Sequence, residues 1–253
     1  MAGEAYLLRR FRPALGGINL TVFLSMCRKI TGKSLNMPLF FQQHIDADTR
    51  IAIWEIKEEA AFFLRDVLPQ RAVRHPHKQL QHLAGRYLLK YLYPDFPVKL
   101  IQLADTNKPF LENEAYHFSI SHCSNFAAAI VSKTNRVGVD IELVSSKIEK
   151  IKHKFLSEDE HQLLNYQLST PSDQVIRADM NYQLIMLWSC KEAVFKWYGL
   201  GEVDFIDHIR AKSITATDKD CFETIIDFKK KEKLYLNLTS RFFGDLCLSY
   251  VVT

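Results

Sequence analysis

An α+β fold is expected of this chain, on three observations. Residues 137–143 (Val-Gly-Val-Asp-Ile-Glu-Leu) and 117–122 alternate side chains with the period of two that marks a strand. Residues 79–92 and 184–198 repeat apolar side chains at helical spacing. From about Ile209 to Val252 the chain breaks into short alternating pieces, 221–228, 234–238 and 246–251, which read as hairpin strands.

The first 36 residues stand apart, holding four of the nine glycines and a basic run, Arg9-Arg10-Phe11-Arg12. A targeting segment is a poor reading, because Gly16, Gly17 and Asn19 interrupt the apolar region and no small-x-small cleavage site follows. Residues 1–36 are expected to be poorly ordered or upstream of the true start, with the working protein opening on the strand-like Met37-Pro38-Leu39-Phe40-Phe41. Residues 51–54 read as strand and 58–68 as a short helix. A basic turn from Arg71 to Lys78 then leads into the helix 79–92, whose Leu80, Leu83, Ala84, Tyr87, Leu88 and Tyr91 share the core-facing stripe. Thr106-Asn107 is a turn before Lys108-Pro109. The strand 117–122 puts Phe118 and Ile120 on one face, Ser119 and Ser121 on the other, and ends at His122; 126–132 returns as its hairpin partner. Neither serine has a G-x-S-x-G elbow around it. Ser157 with Glu160 is a capping box, which accounts for the acids of 158–160 without chemistry. Residues 166–181 are polar and read as a loop, and Gly199 ends the helix that follows.

Composition bounds the function. At 253 residues and 47% hydrophobic the chain can bury a substantial core. No run of 18 apolar residues occurs, so no membrane-spanning helix is expected. Five cysteines without a C-x-x-C pair argue against a disulfide framework or zinc site and for a cytoplasmic protein. The net charge of +4 is concentrated in residues 1–36, which carry six basic groups and one acid; the remainder holds 27 basic and 28 acidic side chains. Non-specific nucleic-acid binding is therefore not expected.

Two stretches carry chemistry. In 137–143 the valines, Ile141 and Leu143 line one face, while Gly138, Asp140 and Glu142 line the other. The two acids project in parallel from backbones about 6.6 Å apart, close enough to share one cation. Gly138 beside them leaves no side chain to block a ligand. The same alternation would suit a strand whose polar face is merely solvated. On the helix 184–199, Leu184, Ile185, Trp188, Glu192 and Phe195 fall in one arc, with Lys191 and Lys196 on its flanks. Glu192 thus sits in an apolar stripe, where a carboxylate is costly unless a cation or hydrogen bonds compensate it. A solvated pair with Lys196 is the simpler account; Trp188 and Phe195 on either side favour metal or substrate duty.

Gly138-Val139-Asp140-Ile141-Glu142 followed by Trp188-Ser189-Cys190-Lys191-Glu192-Ala193-Val194-Phe195-Lys196 resembles the paired signature of the 4'-phosphopantetheinyl transferase superfamily, long (surfactin-synthetase-activating) type. Phe118-Ser119-Ile120-Ser121-His122 and Lys108-Pro109 are similar to two weaker family features, and the likeness runs from about Met37 to the end. The resemblance implies two similar α/β halves, 37–133 and 134–253, related by a pseudo-twofold, with the active site in the cleft between them. It implies transfer of 4'-phosphopantetheine from coenzyme A to a serine of an apo acyl or peptidyl carrier protein, releasing 3',5'-ADP, by a monomer needing neither membrane nor nucleic acid. Asp140, Glu142 and Glu192 would be the Mg2+ ligands. Glu192 would also be the base, directly or through water, and Lys196 would offset charge as the pyrophosphate bond breaks. His122, Lys108, Lys191, Lys196, Arg71, Arg74 and Arg86 are the candidate coenzyme contacts; Asn107, where the family has glycine, weakens the transfer to Lys108. Another Mg-dependent nucleotide transferase or pyrophosphohydrolase, or a non-catalytic coenzyme or carrier-binding module, are the competing readings.

Overall fold

The computed structural model describes residues 39–69, 74–106, 108–169 and 179–253. The expected extension 1–36 and Arg71 lie outside the described residues. In chain order the elements are β1 (Leu39–His44), β2 (Thr49–Glu55), α1 (Ala60–Phe63), α2 (Pro76–Leu92), β3 (Gln102–Leu103), β4 (Pro109–Phe110), β5 (His117–Cys123), β6 (Phe126–Ser132), β7 (Val137–Leu143), α3 (Ile148–Ile151), α4 (Glu158–Ser169), α5 (Met180–Tyr198), β8 (Ile209–Asp218), β9 (Cys221–Lys229), β10 (Lys233–Phe243) and β11 (Leu246–Val252). Pro76 occupies the first turn of α2, where its missing N–H costs nothing. Gly199 caps α5 in the left-handed conformation that a side chain would resist. The stretch 166–181, read as loop, instead contains the end of α4 and the start of α5; Asp179 accepts from the Asn181 N–H and caps the latter.

Two antiparallel sheets carry the fold, ordered β1-β2-β6-β5 and β7-β11-β10-β9-β8. The C-terminal pieces expected as short hairpins are long strands, and β7 joins them as the edge of one five-stranded sheet. That pairing, Asp140 opposite Ser249 across β7 and β11, spans a hundred residues, which local periodicity does not reveal.

The side-chain alternation sorts the core into three layers. On β2 and β6, Ala52, Trp54, Ala127, Ala129 and Val131 face α2, meeting Leu83 and Leu88. Their neighbours Ile51, Ile53, Ala128 and Ile130 face the second sheet, meeting Val139, Ile141, Leu248 and Tyr250. The far face of that sheet is covered by Leu187, Cys190, Ala193, Val194 and Trp197 of α5. A strand buried on both faces reads as an unbroken apolar run, as 126–131 does.

Where the sheets meet, β5 and β7 present free edges to each other. Serine side chains join them: the Val139 N–H donates to Ser119 Oγ at 3.2 Å and the Ile141 N–H to Ser121 Oγ at 3.3 Å. Two edge amides that would otherwise be buried without partners are thereby satisfied.

Candidate active site

The site is built where α5 lies against β7. A side chain at Gly138 would begin 2.1 Å from the Ala193 carbonyl oxygen and 2.8 Å from Trp197 Cβ, so only glycine lets the helix approach this closely. The expectation that Gly138 clears space for a ligand is corrected: the helix fills that space. Its effect is to bring the residue before Ala193, Glu192, to the strand that carries Asp140 and Glu142.

Asp140 is 2% exposed. Its Oδ1 accepts from Ser121 Oγ at 2.7 Å and from Lys196 Nζ at 2.6 Å, while its Oδ2 is buried with no hydrogen-bond partner. Lys196 also donates to Ser121 Oγ at 2.8 Å, closing a Ser121–Asp140–Lys196 triangle. Lys196 therefore pairs with the acid on β7, not with Glu192 four residues earlier on its own helix. Glu142 accepts from Trp188 Nε1 at 3.2 Å. Glu192 has no hydrogen bond or ion pair among the described residues. Burial, and then the negative charge of Asp140, push the carboxyls of both Glu142 and Glu192 up to about 7. Each glutamate is thus poised to exchange a proton near neutrality.

Among the described residues, no three His, Cys, Asp or Glu side chains are already gathered as a metal cluster. The donor set nevertheless fits a hard divalent cation. It consists of carboxylate oxygens, one of them buried and unpartnered, and the charge of Asp140 raises the proton affinity of both glutamates as a like charge sharing a site does.

Lys191 requires a correction. Expected as a coenzyme contact, it is fully buried, and its Nζ donates to Phe155 O at 2.5 Å, Glu160 Oε2 at 2.8 Å and Phe205 O at 2.8 Å. All three donors of the ammonium are taken by the protein, leaving none for a phosphate. Glu160, read as a cap alone, does cap α4 by accepting from the Ser157 N–H at 3.0 Å, yet it also pairs with Lys191 and accepts from the Ala211 N–H at 2.8 Å. It joins α4, α5 and β8 at one buried point.

Lys108 lies at the C-terminal end of α5, its Nζ donating to the Trp197 carbonyl at 3.1 Å. Burial, and then the charge of Arg136, lower its ammonium to about 8. Arg136 caps the same end, donating to the carbonyls of Trp197 at 2.9 Å and of Tyr198, with its guanidinium 4.9 Å from the Trp197 ring centre. Lys108 and Lys196 share the lining of a cavity of about 220 Å³ with Thr106, Phe118, Ile120 and Phe195. His122 is exposed at the end of β5, its ring 5.4 Å from that of His82 on α2. Arg86 is buried within α2 and donates to the His82 carbonyl at 3.4 Å; Arg74 is exposed just before α2. None of these three lines the cavity.

Sequence reasoning missed Ser121, Trp188 as a hydrogen-bond donor, Arg136 and the wider role of Glu160. Only Ser121 left a signal, as a polar residue on the face of β5 opposite Phe118.

Residues 136–251 match the 4'-phosphopantetheinyl transferase superfamily. The chain is 29% identical over 122 residues, 47% of each chain, to the enterobactin synthase component D of Salmonella typhi. It is 33% identical over 86 residues, 33% of each chain, to the 4'-phosphopantetheinyl transferase HetI of a Nostoc species. It is 30% identical over 145 residues, 57% of this chain and 56% of the relative, to the 4'-phosphopantetheinyl transferase gsp of Aneurinibacillus migulanus. The matched stretches thus span about half, or less, of these relatives' own length.

Proposed function

We propose, from the premise that residues 136–251 form a domain of the 4'-phosphopantetheinyl transferase superfamily, that the chain transfers 4'-phosphopantetheine from coenzyme A to a serine of an apo carrier protein. The observation that carries this reading is the Ser121–Asp140–Lys196 triangle with Glu142 and Glu192 beside it. In the transfer, the carrier serine oxygen forms a bond to the phosphorus that bears the pantetheine arm, and the bond from that phosphorus to the departing 3',5'-ADP breaks. Glu192, which makes no hydrogen bond among the described residues, is the candidate to take the serine proton, directly or through a water. Lys196, on the rim of the cavity, offsets charge on the leaving phosphate. Asp140, Glu142 and Glu192 would hold Mg2+, which when bound neutralises charge on the pyrophosphate. Ser121 holds Asp140 and Lys196 in register.

The two sheets, each backed by one long helix, support reading the chain as two similar halves, 37–133 and 134–253, about a pseudo-twofold. In the long-type arrangement the coenzyme would lie in the cleft between them, with Lys108 and Lys196 nearest its phosphates and His122 and Arg74 as further contacts. We read the protein as a cytoplasmic monomer; among the described residues no helix is long and apolar enough to cross a membrane.

The test is a mass measurement of a panel of apo-carriers after incubation with coenzyme A and Mg2+. A phosphopantetheine adduct on the carrier serine is expected, with release of 3',5'-ADP only when carrier is present. Release without carrier would replace the reading with a pyrophosphohydrolase; no adduct and no release would leave a binding module.

A further inference from the structure

Lys191 and Lys196 belong to α5 and Lys108 bonds to its end, but only Lys108 does so without an acid beside it. Lys191 is held as an ammonium by Glu160 at 2.8 Å and Lys196 by Asp140 at 2.6 Å. Lys108 has no carboxylate within ion-pair reach among the described residues. The charged groups around it are themselves cations, Arg136 at the same helix end and Lys196 on the shared cavity lining. Its stem lies flat on Gly199, where any side chain would collide with Cδ, Cε and Nζ, so the amine is held at the cavity and not left to wander in solvent. A lysine desolvated beside another cation gives up its proton readily and becomes a nucleophile. With its ammonium lowered to about 8 from 10.5, about half of Lys108 is free amine at pH 8, against about 1 in 300 for an unperturbed lysine.

The surroundings also suit an acylated product. A secondary amide at Nζ keeps one N–H, which is enough to retain the hydrogen bond to the Trp197 carbonyl. The acyl group extends into a cavity of about 220 Å³ walled by Phe118, Ile120 and Phe195. The positive charge lost from the C-terminal end of α5 is still supplied by Arg136, which donates to the carbonyls of Trp197 and Tyr198. Neither the cap nor the packing has to change.

We infer that Lys108 is a self-acylation site, taking the acyl group of a small activated donor, an acyl phosphate or an acyl thioester, without a second enzyme. The amine nitrogen bonds to the acyl carbonyl carbon, and the bond from that carbon to the phosphate oxygen or to sulfur breaks. The proton shed by the nitrogen ends on the departing phosphate or thiolate. Lys196, on the same lining, draws an anionic donor toward the amine. The modified side chain is uncharged and occupies the cavity, so on the transferase reading above it weakens the hold on coenzyme A.

The experiment incubates the full chain with acetyl phosphate and, separately, with acetyl-coenzyme A from about pH 7 to about pH 10, and follows the acetylation rate of each lysine by peptide mass spectrometry. Lys108 should be acetylated about tenfold faster at pH 8 than the exposed Lys147 and Lys231. Its rate should level off above about pH 8 while theirs keep rising toward about 10.5. The donor that gives this preference names the source of the acyl group, and the preference should vanish in concentrated urea. Labelling of Lys108 no faster than of the exposed lysines with both donors, or a preference that survives urea, would overturn the inference and leave the transferase reading intact. Chain acetylated at Lys108 should show a KM for coenzyme A raised about fivefold or more, with the carrier KM within about twofold; an unchanged KM would overturn the link between this modification and transfer. No transfer by the unmodified chain to any carrier would overturn the transferase reading, while the labelling rates would still decide the acylation site.

Discussion

Lys191 and Lys196 lie five residues apart on α5 and carry the same charge, yet their surroundings share almost nothing. Lys191 is sealed in the core against Glu160 and two carbonyls; Lys196 reaches across to β7 with its side chain 25% exposed and shares Asp140 with Ser121. The first fixes where the helix sits, and the second has donor capacity left for a substrate. Identity of residue type within one motif therefore says little about role. What decides is which neighbours lie on that side of the helix, and those neighbours come from residues dozens of positions away.

The contrast can be broken at several points. Asp140→Ala should produce the largest effect: a fall in transfer of about 10³-fold, equivalent to about 4 kcal/mol, with the unfolding midpoint nearly unmoved. It is read by the rate of carrier mass shift, and chelation of Mg2+ from the unsubstituted chain should give a comparable loss. Lys191→Met should act in the opposite sense, costing about 3–5 kcal/mol of stability in a urea titration because Glu160 is left buried and uncompensated. The fraction that remains folded should transfer at close to the normal rate, and adding Glu160→Gln should restore part of the stability. Were Lys191→Met to unfold nothing and abolish transfer, the assignment of the two lysines would be reversed.

Lys196→Ala should lower transfer about 100-fold, or about 2.7 kcal/mol, with little change in stability, since its pair is partly solvated. The smallest effect belongs to Lys108, at the end of the same helix. Its folded ammonium, lowered to about 8 from 10.5, binds its proton less tightly than in the unfolded chain. The unfolded state then holds more protons between those values, so this group's contribution makes stability rise as pH goes from about 8 to 10.5. Replacing Lys108 with Met should flatten that segment of a melting-temperature profile against pH.

Much of this was legible beforehand. The alternation of 137–143, the helix ended by Gly199 and the placing of Glu192 in an apolar arc all appear in the structure, because each depends on neighbours within a few residues. The extended hairpin strands and the edge position of β7 did not appear in the sequence, since antiparallel register between β7 and β11 is set by pairing across a hundred residues. Lys191 was misassigned for the same reason: its partner Glu160 was visible only as a local cap, and a capping glutamate gives no sign that its second oxygen serves another helix. Arg136 looked like an ordinary pre-strand cation, and its hold on the Trp197 carbonyl depends on how α5 docks.

The missing side chain of Gly138 has a consequence beyond packing. The strand and the helix are separated there by little more than a hydrogen atom, and every span between the acids on one and the acid on the other is scaled from that contact. A single methyl at this position would act as a shim. It adds no charge, touches no substrate and removes no catalytic group, yet it would silence a charged centre by distance alone.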